Sequence, residues 1–108
     1  MSQEHIQASL REFKMRLTRD YEKNAEVILF GSTARGDYSV ASDIDVLVLL
    51  PFEPDTAAEE RIFDLAYDVE LQFGVIFGIL VYSKSFWNSG LARVMPIHKN
   101  IEREGVGV

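Results

Sequence analysis

The chain has 108 residues, 47% hydrophobic and 26% charged, a balance that excludes a disordered polypeptide and suits a single domain, residues 1–108, with its own core. It contains no cysteine, which excludes a disulfide scaffold, a thiolate metal site and a cysteine nucleophile. The net charge of −6 is unevenly placed: ten acids and one base, Arg61, lie between Asp37 and Glu70, and no basic stripe of the kind that binds nucleic acid is present.

The N-terminus lacks a basic segment followed by an apolar one, so no secretory signal is expected. No apolar run approaches the ~20 residues of a membrane helix. A soluble, cytoplasmic protein is the expectation. From Gln3 to about Asn24, Ile6, Leu10, Phe13, Leu17 and Tyr21 fall at steps of three and four, which predicts an amphipathic helix. Its mixed charges read as solubility and weak i,i+4 pairing. Glu26–Phe30 is short and apolar and is stopped by Gly31, as a buried strand would be. Ser32 to Gly36 allows one helical turn before a loop through Asp37, Tyr38 and Ser39.

Asp43 to Leu50 is the second predicted strand, ended by Pro51 and Pro54. A helix follows from about Asp55 to Phe73, with Ala58, Ile62, Leu65, Ala66 and Val69 inward and a capping-box spacing at Thr56 and Glu59. Gly74 is the expected stop. Val75 to Tyr82 has almost no polarity and reads as a strand buried on both faces. Ser85 to Gly90 suggests a helical turn or loop, and Pro96 to about Glu104 a short closing helix. The order predicts an α+β (layered α/β) fold with a small mixed sheet packed by helices. About a dozen residues join the first two strands, too many for a tight hairpin, and a site can be built there.

That connection carries the chemistry. Strand side chains alternate, so Asp43 and Asp45 share a face while Ile44 takes the other. Two close carboxylates repel, and a hard divalent cation such as Mg²⁺ relieves this while keeping waters and phosphates as further ligands. An isolated Asp-x-Asp more often caps a loop. The Gly31-Ser32 turn shifts that balance, because Gly31 admits a close approach and a positive φ. The amides of Ser32 and Thr33 would open a helical turn, where unpaired N–H groups favour phosphate oxygens. Arg35 either adds a contact to phosphate or pairs with an acid such as Asp37 or Asp43.

Gly31-Ser32, ten residues, then Asp43-Ile44-Asp45 resembles the motif of the polymerase-β-like nucleotidyltransferase superfamily. The fuller string, Gly-Ser-Thr-Ala-Arg-Gly and then Ser-Asp-Ile-Asp-Val, is similar to its minimal nucleotidyltransferase branch. The resemblance implies an enzyme that binds Mg·NTP, with ATP the expected nucleotide, and transfers a nucleoside monophosphate to a hydroxyl. It implies nucleotide contacts by Gly31, Ser32 and Arg35, and metal ligation and catalysis by Asp43 and Asp45. It also implies a protein partner, of the HEPN type found in toxin–antitoxin pairs, or a homo-oligomer. The alternative is a catalytically weakened module of the same fold that acts as an antitoxin-like cap.

One departure stands out. Active relatives carry a third carboxylate on the strand after the long helix, and neither face of Val75 to Tyr82 holds an acid. Asp68 and Glu70 precede that strand but fall within the helical pattern, pointing away from it. His5 and His98 read as surface residues, Tyr82, Phe86 and Trp87 as packing groups, and Lys99 to Arg103 as a solvated helix face.

Overall fold

The computed structural model describes residues 2–38 and 43–108. The connection through Ser39 and the Ser42 of the motif therefore lie outside the described residues. The elements run α1 (Gln3–Asp20), β1 (Glu26–Phe30), α2 (Gly31–Ala34), β2 (Ile44–Leu50), α3 (Thr56–Phe73), β3 (Phe77–Ser83), α4 (Lys84–Trp87), α5 (Gly90–Arg93), α6 (Pro96–Glu104) and β4 (Val106–Gly107).

Each long helix starts and stops for a local reason. The Ser2 hydroxyl accepts from the His5 amide at 3.1 Å and caps α1. The cap of α3 is Asp55, whose Oδ1 accepts from the Ala58 amide at 2.8 Å. Thr56 is already the first helical residue, so the expected capping box at Thr56 and Glu59 gives way to its stronger neighbour. Gly74 ends α3 in the left-handed conformation, φ 66°, as expected. The first helix stops at Asp20, short of the predicted Asn24, because the Glu22 amide turns back to the Leu17 carbonyl.

The sheet order is β3-β2-β1-β4. β1 and β2 are antiparallel, whereas α3 carries the chain across so that β3 lies parallel to β2. One face packs against α1 and α3 through Val27, Leu29, Ile44, Val46, Val48 and Leu50. On the other face Leu47, Leu49, Trp87 and Ile101 are buried, with Ile28, Phe30 and Leu80 packed beside them. Full burial of a side chain such as Phe13 or Ile62 stabilises by about 1.5–3 kcal/mol each. Together the two layers hold the end of β2 in place.

Three expectations are corrected. β3 is an edge strand rather than one buried on both faces: it starts at Phe77, Gly78 through Tyr82 are half-buried, and Ile76 is exposed. The central, covered position belongs to β2. His98 is buried, its Nε2 donating to the Trp87 carbonyl at 2.8 Å while its ring lies 4.3 Å from that indole. His5 is half-buried against Phe73, with Nε2 2.6 Å from the Phe73 carbonyl oxygen. Trp87 packs as expected, and Lys99, Asn100, Glu102 and Arg103 form the expected solvated face around buried Ile101. No helix among the described residues is long and apolar enough to cross a membrane.

Candidate active site

The sheet register builds the site. Asp45 is paired with Phe30, the last residue of β1, on one side and with Gly78 of β3 on the other. By alternation it shares a face with Leu47 and Leu49, the face covered by α4 to α6. Asp45 is half-buried there, and Asp43, just before the strand, is exposed.

Gly31 follows Phe30 directly and has φ +75°. A Cβ on Gly31 would lie 2.3 Å from Asp45 Oδ2, an overlap that no side chain survives unchanged. A Cβ on Gly78 would lie 3.0 Å from Asp45 Oδ1. The carboxylate therefore sits between two glycines, Gly31 just after β1 and Gly78 on β3. Sequence reasoning found Gly31 and missed this role of Gly78, because a glycine in an apolar strand carries no mark of its partner.

Burial raises the Asp45 pKa above its ordinary value, the nearby Asp43 charge raises it further, and Arg35 opposes both. The two carboxylates thus feel one another, as the Asp-x-Asp spacing predicts. α2 begins at Gly31, so Ser32 and Thr33 lie in its first turn, where amides have no intrahelical acceptor. Thr33 is buried and Ser32 half-buried. Gly36, φ +92°, is the turn residue expected.

Arg35 pairs with an acid that the local pattern did not offer. Its Nη1 is 2.9 Å from Glu104 Oε2, at the end of α6. β4 returns along β1, with Leu29 opposite Val106, and this brings Glu104 beside α2. The pairing spans 69 residues, beyond any sequence periodicity. Asp37 also has an interaction within the fold.

The third carboxylate is not supplied by the expected strand. Gly78 faces Asp45, and Leu80 faces Leu47. Glu70 is engaged elsewhere, its Oε2 accepting from the Phe77 amide at 2.8 Å, and Asp68 is exposed on α3. No group of three acids, histidines or cysteines suited to a metal occurs among the described residues. Two hollows of about 400 and 320 Å³ flank β4, and neither is lined by Asp43 or Asp45.

A sheet end that sets a Gly-Ser turn against an Asp-x-Asp pair defines a class, and comparison with known proteins agrees. The family described as "Nucleotidyltransferase domain" matches residues 10–102, and the chain belongs to it. Two proteins of Methanocaldococcus jannaschii named for protein adenylyltransferase activity are similar over most of their length. MJ0141 is 34% identical over 86 residues, covering 79% of this chain and 87% of the relative. MJ0604 is 33% identical over 98 residues, covering 90% and 91%. Among solved structures, a toxin–antitoxin pair with AMP-PNP aligns with TM-score 0.59 at 19% identity, over 99% of this chain and 72% of that one. A mutant of the toxin–antitoxin pair MntA-HpeT aligns with TM-score 0.58 at 18% identity, over 100% and 72%. The small mixed sheet and its helices are thus a fold that this chain shares with chains of those two structures.

Proposed function

We propose that this chain is a minimal nucleotidyltransferase that binds Mg·ATP and transfers the adenylyl group to a hydroxyl on a partner protein. The observation that carries the reading is the interlock of Gly31 with Asp45: the turn proposed for phosphate and the proposed metal-binding pair are packed into contact. The relatives' names and the AMP-PNP in a structural neighbour support adenine as the base.

The donor set fits a hard divalent cation. Asp45 is held in a desolvated position beside a like charge, a situation that Mg²⁺ relieves, and waters and phosphates can complete its coordination. When bound, magnesium held by Asp43 and Asp45 would supply charge neutralisation at the reacting phosphate. Ser32 and the amides of the α2 turn hold the terminal phosphates, and Arg35 adds positive charge at their edge. The acceptor hydroxyl oxygen forms a bond to the α-phosphorus, the bond to pyrophosphate breaks, and the hydroxyl proton is lost to a base. Orientation is the main contribution of the chain.

A second reading is favoured by one observation, the glycine opposite Asp45 where an acid would complete the site. In it the chain is a catalytically weakened module that acts by capping a partner, as an antitoxin of a HEPN-type protein would.

The two readings separate in one experiment. The protein is incubated with α-labelled ATP, Mg²⁺ or Mn²⁺ and a host lysate, alongside Asp43→Asn and Asp45→Asn. Label on a protein acceptor that disappears in both variants is the result expected of the enzyme. Partner binding that survives in both variants, with no label, is expected of the module. Calorimetry that detects no metal-dependent nucleotide binding refutes the phosphate role of Gly31 and Ser32.

A further inference from the structure

α3 has two apolar faces, and only one is used by the fold. Ala58, Ile62, Leu65, Ala66 and Val69 are buried against the sheet and α1. Phe63, Tyr67 and Leu71, at i, i+4 and i+8, are 45%, 57% and 66% exposed. Steps of four on a helix keep side chains adjacent, so the three form one stripe facing away from the core. Isolated exposed apolar residues are ordinary, but a row of three large ones on a helix otherwise amphipathic is what a docking face presents.

The charge around the stripe says what fits it. At 100° per residue, Glu60, Asp64 and Asp68 run along the open side of the stripe, and Glu59, four residues before Phe63, stands at its head. All four are exposed, and none is in an ion pair among the described residues. Arg61, the one base on the helix, donates to the Asp20 carbonyl on the α1 side. A second copy docked helix to helix about a two-fold axis would set these acid rows against each other, and like charges across an interface oppose association.

We infer that the Phe63-Tyr67-Leu71 stripe of α3 is the docking face for a partner protein, through a helix with an apolar stripe rimmed by lysine or arginine. This deepens the partner part of the function proposed above and rests on it. Tyr67 and Phe63 are the anchors, since large aromatic residues carry most of the energy of such interfaces. The sheet separates this face from Asp45, which points toward α4 to α6. Docking therefore leaves the nucleotide end open.

The probes are labelled helical peptides of about 18 residues: one with a leucine stripe and lysine rim, one with the leucine stripe and a glutamate rim, one with a serine stripe and the lysine rim. Fluorescence anisotropy is expected to show binding of the first, with the other two weaker by roughly tenfold or more. Phe63→Ser/Tyr67→Ser/Leu71→Ser and, separately, Asp64→Lys/Asp68→Lys are expected to lose the first peptide by a similar factor while circular dichroism stays that of the parent protein. Equal binding of the leucine and serine stripes, or no binding of the first peptide, overturns the inference. So does light scattering that finds a dimer dissolved by Leu71→Ser, because a second copy then covers the stripe. Mg·ATP calorimetry on the parent protein tests the nucleotide reading separately: no heat of binding there overturns that reading, while the peptide result still decides the docking face.

Discussion

Replacing Gly31 with alanine tests the interlock directly. Two costs are expected. Left-handed backbone costs an L-residue about 1–2 kcal/mol, and Gly31 has φ +75°. The new Cβ also falls 2.3 Å from Asp45 Oδ2 and 3.2 Å from its Cγ, so the carboxylate must swing away, an overpacking that costs about 1–3 kcal/mol. Gly36→Ala is the control: it has φ +92° and nothing within 4 Å of its Cβ, so only the backbone cost applies. Urea unfolding should therefore place Gly31→Ala about 1–3 kcal/mol below Gly36→Ala, with unchanged m-values. The decisive comparison is Gly31→Ala in an Asp45→Ala background. Removing the carboxylate removes most of the clash, so the cost of Gly31→Ala should fall there toward that of Gly36→Ala. If the two costs in the two backgrounds agree within about 0.5 kcal/mol, the residues are not coupled and the packing argument fails.

Asp45→Asn should raise the melting temperature at neutral pH while abolishing metal-dependent nucleotide binding, a trade of stability for function. The sign follows from linkage. Burial and Asp43 raise the folded-state pKa above the ordinary 3.8, so the native state keeps this proton to higher pH than the unfolded chain does. Its contribution falls as pH rises from the ordinary value through the folded one, and a Tm–pH profile of the variant should lack that fall; identical profiles would contradict it. His98→Ala should cost about 2–4 kcal/mol, from the cavity and the unpaired Trp87 carbonyl, and red-shift the fluorescence of the single tryptophan. A loss under about 1 kcal/mol would mean the ring is not part of that core.

The periodicities of Ile6 to Leu17 and Ala58 to Val69 determined both long helices, because an apolar stripe at helical spacing has few other uses. The apolar runs at Glu26–Phe30 and Asp43 to Leu50 located two strands, and the Gly-Ser turn with the Asp-x-Asp pair identified the family to which the chain belongs. These are short-range properties, contained within a few residues of each other. Which strand occupies the centre was not among them: β2 and β3 are almost equally apolar, and sheet order depends on where α3 and the short helices lie. For the same reason β4 and the Glu104 partner of Arg35 were invisible, since each depends on pairing across most of the chain's length. His98 looked like a surface residue until Trp87 was folded over it. Gly78 is the sharpest case. Its lack of a side chain reads locally as a weak point in a strand, and only the register that sets it opposite Asp45 turns that gap into room for a carboxylate.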